Sequence, residues 1–189
     1  MTDTTGTTGT TGSNGSGGRA VRLRFWGVRG SIPSPGHLTA RYGGNTSCVS
    51  VESVEGNDGG ANGRELFVFD AGSGLRVLGL HLLQAKRLPV TVHLLLTHTH
   101  WDHIQGFPFF TPAFIPGNEI TVYGAAGTDT VLAEALEGQM LHRYFPVSLD
   151  KLGAAIRFQH IPPGSHRIAS ARVTVASLHH PGDAAGYRL

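Results

Sequence analysis

Thr97-His98-Thr99-His100-Trp101-Asp102-His103 follows directly on the apolar run Val90-Thr91-Val92-His93-Leu94-Leu95-Leu96. Seven residues of mostly Val and Leu, opened by Pro89, read as a buried strand. The polar stretch then occupies the loop leaving the strand's C-terminal end, where open α/β sheets carry their ligands. Three imidazoles and one carboxylate fall between His98 and His103. Imidazole nitrogen and carboxylate oxygen form the donor set that suits zinc and similar borderline divalent metals. In an extended segment His98 and His100 project to one side, and Asp102 and His103 follow where the chain turns. The stretch therefore reads as a metal-binding loop.

Upstream, Val21, Leu23 and Phe25 alternate with Arg22 and Arg24, the period-two pattern of a half-exposed strand. Arg19, Arg22 and Arg24 are expected to be its solvated face. A second strand is predicted over 46–54 and a third over Glu65–Phe69, joined through the Gly/Asn/Asp-rich stretch 56–63 as a long hairpin. Asp70 closes the third strand; it is either a turn residue or a partner that orients a ligand histidine. Leu75, Leu78 and Leu82, widened by Val77 and Leu83, mark one helical face.

Downstream, Gly106, Pro108, Pro112, Pro116 and Gly117 mark an irregular loop carrying Phe107, Phe109, Phe110 and Phe114. These rings are either packing or one wall of a substrate pocket. A short strand at 120–123, a helix over 128–140 capped by Thr128 or Asp129, and strands over 155–161 and 171–178 follow. The last runs into His179-His180-Pro181-Gly182. Strands and helices alternate, so the class is α/β.

With 189 residues, the chain is expected to hold one domain over 20–189 behind a disordered Thr/Gly/Ser-rich tail, 1–18. A net charge of +2 with scattered Lys and Arg gives no ground for a nucleic-acid surface. The single cysteine, Cys48, excludes an intramolecular disulfide and points to a reducing compartment. No apolar run reaches the ~20 residues of a membrane span, and no signal-peptide core opens the chain. The expected setting is cytoplasmic, with no membrane partner; a homo-oligomer is compatible with it.

Thr97 to Gly106 (THTHWDHIQG) resembles the HxHxDH signature of the metallo-β-lactamase-fold hydrolases. Phe25 to Pro33 (FWGVRGSIP) and Arg41 to Cys48 (RYGGNTSC) resemble the opening of a bacterial subgroup of these hydrolases. That subgroup is similar to ribonuclease Z and the cyclic-phosphate phosphodiesterases. Asp70 to Leu75 resembles the family's second motif, and His180 to Tyr187 its third metal-binding motif. The resemblance implies an αββα sandwich in which His98, His100 and the third-motif His hold one metal, while Asp102 and His103 bind a second. The spacing to Gly186-Tyr187 selects His180, with His179 as the rival. The implied cofactor is a divalent pair, two zinc ions with manganese or iron as alternatives.

The implied chemistry is hydrolysis by a hydroxide generated between two metals ~3.5–4 Å apart. Asp102 is the catalytic candidate, orienting the nucleophile or taking its proton. A phosphodiester of small-molecule or nucleotide type is the implied substrate, nucleic acid included. A thioester, lactam or lactone is the alternative, and a non-catalytic metal-binding or interaction domain a third reading. The remaining histidines (His37, His81, His93, His142, His160, His166) are assigned to surface or core. The family's bridging Asp and final His have no counterpart before Leu189. The resemblance thus implies the N-terminal part of the fold: the chain is expected to be a fragment of a longer hydrolase, from a truncated or frameshifted reading frame, with reduced or no activity, the alternative being a self-contained protein that binds one metal through His98, His100 and His180.

Overall fold

A computed structural model of the chain describes residues 20–53, 64–125, 129–181 and 184–189. The predicted tail 1–18, the hairpin connection 56–63, Val54 at the end of the predicted second strand and the proposed cap Thr128 lie outside the described residues.

Six strands form the main sheet among the described residues: β1 (Val21–Gly27), β2 (Cys48–Ser53), β3 (Arg64–Phe69), β4 (Val90–Leu96), β5 (Glu119–Gly124) and β6 (Ala155–His160), paired in that order. The pairs β1–β2 and β2–β3 are antiparallel, and β3 through β6 run parallel. The hairpin expected around 56–63 is therefore present as a pairing, with Val49, Ser50 and Val51 opposite Phe69, Val68 and Phe67. Parallel neighbours need crossovers, and α1 (Gly74–Gln84) and α3 (Asp129–Gln139) lie in two of them. A second sheet, β7 (Gly164–Ile168), β8 (Ala171–Leu178) and β9 (Ala184–Arg188), is antiparallel throughout.

Side-chain alternation along the central strands sorts the core into two layers. Leu66, Val68, Val92, Leu94, Leu96, Ile120 and Val122 face the helices, meeting Leu75, Leu78 and Leu82 of α1 and Leu132, Leu136 and Met140 at α3. Phe67, Leu95 and Tyr123 point the other way and pack on Ile168, Val173, Val175 and Ala185 of the small sheet. Burial on both faces explains why β4 is an unbroken apolar run. The phenylalanine-rich loop divides: Phe107 and Phe110 are fully buried in the helical layer, whereas Phe109 and Phe114 reach solvent. His93 is buried, stacked on Phe67, a core histidine as expected. No helix among the described residues is long and apolar enough to cross a membrane.

Strand β1 departs from expectation in which face it shows to water. Val21, Leu23 and Phe25 are 51%, 37% and 53% exposed, on the side of the small sheet but beyond its reach. Of the arginines expected on the solvated face, Arg19 lies outside the described residues, Arg22 is exposed, and Arg24 is half-buried against α1. Glu52, 4% exposed, accepts from Arg22 and is ion-paired with Arg87. Arg24 bonds His81 Nε2 at 2.8 Å, and Trp26 donates to Ser50 Oγ at 2.8 Å. Strands β7 and β9 were also not foreseen; each exists by pairing with β8 and not through a run of its own strand formers.

Burial alone would raise the Glu52 carboxyl, but its bonds to Arg87 and Arg22 outweigh that and hold it below the usual carboxylate range. A depressed folded-state value means the pair contributes fully above the ordinary Glu range and is lost as pH falls through the lowered value. Arg87→Met should therefore destabilise the chain by about 3 kcal/mol at neutral pH. The deficit relative to wild type should shrink at acidic pH, read by urea unfolding at several pH values.

Candidate metal centre

The site begins where β3 and β4 end side by side. Asp70 leaves β3 in a left-handed conformation, φ 60°, which Asp tolerates better than most residues. Its backbone N–H donates to Leu95 O at 3.0 Å, and the residue is 4% exposed. Oδ1 accepts from the Thr97 N–H and hydroxyl, both at 2.8 Å. Oδ2 accepts from Ser47 Oγ at 2.9 Å and His103 Nδ1 at 2.8 Å. Of the two roles open to Asp70, the geometry selects the one that orients a histidine.

These bonds settle two tautomers. The Thr97 hydroxyl has one hydrogen, which goes to the carboxylate, so at the 3.0 Å contact its oxygen accepts from His98 Nδ1–H. His103 likewise spends Nδ1–H on Asp70. His98 then presents Nε2 with its lone pair free, and His103 turns its Nε2 towards Asp102. Burial first, and then the neighbouring His103 and His100, push the His98 pKa down to about 4, so its imidazole is neutral at pH 7.

Two glycines let the loops after β3 and β4 touch. A Cβ on Gly106 would fall 1.9 Å from Gly72 O, and one on Gly72 would fall 2.4 Å from Asp102 O. Ala71 N donates to His103 O at 2.7 Å, and Gly106 N to Ala71 O at 2.8 Å. The short helix α2 (Trp101–Ile104) follows, with His100 at its N-cap position.

His180 arrives from the small sheet. Ala185 N donates to Thr97 O at 2.8 Å, and Tyr187 Oη to Leu96 O at 2.7 Å, which lays β9 along the end of β4. Burial, and secondarily the Asp70 carboxylate, raise the Tyr187 pKa, so the phenol stays a donor. His98, His100 and His180 each offer a ring nitrogen, all within 4.8 Å of one another. His180 Nε2 lies 3.4 Å from His100 Nδ1. His179 is exposed and outside this group.

Asp102 and His103 form an adjoining pair. Asp102 Oδ2 is 3.5 Å from His103 Nε2, and the His98 and His103 ring centroids are 4.1 Å apart. For Asp102, burial would raise the carboxyl, but the Ser31 amide and His103 outweigh it and the net shift is downward. For His103, burial would lower the ring, but Asp70 and then Asp102 outweigh it and the net shift is upward. All five residues singled out from the sequence thus meet at one end of the sheets. Ser31, Ser47, Thr97 and Tyr187 were not foreseen as supports; the first two sit in stretches whose resemblance had been noted without a role.

Residues 66–189 match the family described as the beta-lactamase superfamily domain. The chain is 28% identical over 173 residues to ribonuclease Z of Bacillus licheniformis, covering 89% of this chain and 48% of that protein. It is 26% identical over 128 residues to ribonuclease Z of Staphylococcus carnosus, covering 66% and 39%. The chain therefore spans less than half the length of these relatives. The crystal structure of a diphosphatase from the PhnP family superposes with a TM-score of 0.57 at 16% identity, covering 89% of this chain and 62% of that one. The α/β arrangement of sheets and helices is thus a metallo-β-lactamase-like fold.

Asp70→Ala strands four donors at once and leaves the His103 ring without its anchor. It should lower stability by about 3 kcal/mol in urea unfolding. In calorimetric zinc titration it should also weaken metal uptake by about 10–100-fold.

Proposed function

We propose that this chain, which belongs to the beta-lactamase superfamily, hydrolyses phosphodiesters with the help of divalent metal. His98, His100 and His180 would hold one ion, and His103 with Asp102 a second. The observation that carries the reading is the convergence of three imidazole nitrogens beside Asp102 and His103, whose Oδ2 and Nε2 stand 3.5 Å apart. The neutral His98 imidazole, with the ring nitrogens of His100 and His180 beside it, is a fitting donor set for zinc, with manganese and iron as the alternatives. Three protein nitrogens leave a tetrahedral ion one open position, as in catalytic and not in structural sites. When bound, such an ion lowers the pKa of water towards ~7 and polarises a phosphoryl oxygen.

The chain's own residues have separate tasks. His98 and His103 are held in one tautomer by Thr97 and Asp70, so no reorientation precedes binding. The Asp102 carboxylate, ionised at neutral pH, orients the attacking water or accepts its proton. Phosphodiester is preferred over thioester or lactam because the relatives are named ribonuclease Z and the structural neighbour a diphosphatase. A nucleotide or nucleic acid is the substrate class this favours.

The purified chain, loaded with zinc or manganese, should turn over bis(p-nitrophenyl) phosphate. His100→Ala and Asp102→Ala should each reduce the rate at least ~100-fold. Metal uptake without turnover of any phosphodiester would favour a binding module instead, and turnover confined to thioesters or lactams would move the substrate class. No uptake of zinc, manganese or iron at neutral pH would remove the metal reading.

A further inference from the structure

The loop between β1 and β2 reaches the site at Ser47, which donates to Asp70, and again at Ser31. Ser31 N–H donates to Asp102 Oδ2 at 2.8 Å, seventy-one residues away in sequence. Ser31 has φ 66°, a left-handed conformation that costs a serine about 1–2 kcal/mol. Ile32 N bonds back to Gly30 O at 2.9 Å, closing a three-residue γ-turn centred on that strained residue, a rare form. Packing does not hold the turn: Gly30, Ser31 and Ile32 are all exposed. It is held by polar bracing. Arg29 Nε donates across it to Ile32 O at 3.0 Å, and Val28 N and Arg29 N both donate to Asn45 O, at 3.1 and 3.0 Å. Backbone strain with no burial to offset it marks positions where the conformation serves a site.

We propose that Ser31 is a positioning residue for Asp102, acting through its backbone amide. The γ-turn aims that N–H at Oδ2, the same oxygen that stands 3.5 Å from His103 Nε2. One carboxylate oxygen is thereby tied to a braced loop on one side and faces the histidine on the other, which stops the carboxylate from swinging. The stretch Phe25 to Pro33 then acquires a task, holding the acid in place. The inference rests on the role given to Asp102 above.

Two measurements test it in the full chain. In the metal-free protein, amide hydrogen exchange at Ser31, followed by NMR, should accelerate about tenfold or more in Asp102→Ala. It should stay slow in Asp102→Asn, which keeps an acceptor; equal exchange in wild type and Asp102→Ala overturns the clamp. In cobalt(II) titration, replacing the Ser31 amide N–H with an ester oxygen should weaken binding about tenfold. Ser31→Gly, which keeps the amide and accepts the turn, should bind as wild type does. The loss should vanish in an Asp102→Ala background; no loss, or a loss of the same size there, overturns the proposal. If the wild-type chain takes up no cobalt, the hydrolase reading fails, while the exchange measurement still decides the clamp.

Discussion

A single buried carboxylate organises this molecule. Asp70 is the point at which the ends of β3 and β4, the loop before β2 and the histidine loop are tied together. Burying a carboxylate is costly unless its lone pairs are filled, and here four donors fill them. The constraint works in both directions. The carboxylate needs Thr97, Ser47 and His103 in position, and their positions in turn fix the tautomers of His98 and His103. The orientation of the histidine rings is therefore a by-product of satisfying one charge inside the fold.

The division of labour between the two sheets follows from the same place. The parallel strands β3 to β6 deliver loops to one end, and β9 is laid along the end of β4 by two hydrogen bonds to its backbone. His180 is thus brought to His98 and His100 by strand placement and not by local sequence. A change in β9 that loosened Tyr187 would be felt at the histidines, because its hydroxyl is bonded to the residue just before Thr97.

Much of the site was legible in the sequence because its donors are clustered in the chain. His98, His100, Asp102 and His103 are local, and the run of β4 before them sets their place in an α/β fold. Ser31 was not legible, because it acts through a backbone amide that any residue carries, across a contact of seventy-one residues. Ser47 and Thr97 contribute hydroxyls that look like ordinary strand-end residues until Asp70 is seen between them. Alternation revealed β1 but could not say that its apolar face, Val21, Leu23 and Phe25, would also meet solvent, nor that Glu52 on the next strand would pair with Arg22 and Arg87. Strands β7 and β9 stayed hidden for a related reason, since their pairing with β8 is a tertiary fact.

Cys48 opens β2 fully buried in the helical layer, and burial, with the Asp70 carboxylate adding to it, raises its thiol well above the ordinary cysteine range. Thiol chemistry proceeds through the thiolate, so this sulfur is chemically silent while the fold is closed. Because Cys48 is the chain's single cysteine, any alkylation or oxidation of the protein's thiol content is a record of β2 parting from its neighbours. The molecule thus carries, beside Asp70, its own chemical reporter of opening at β2.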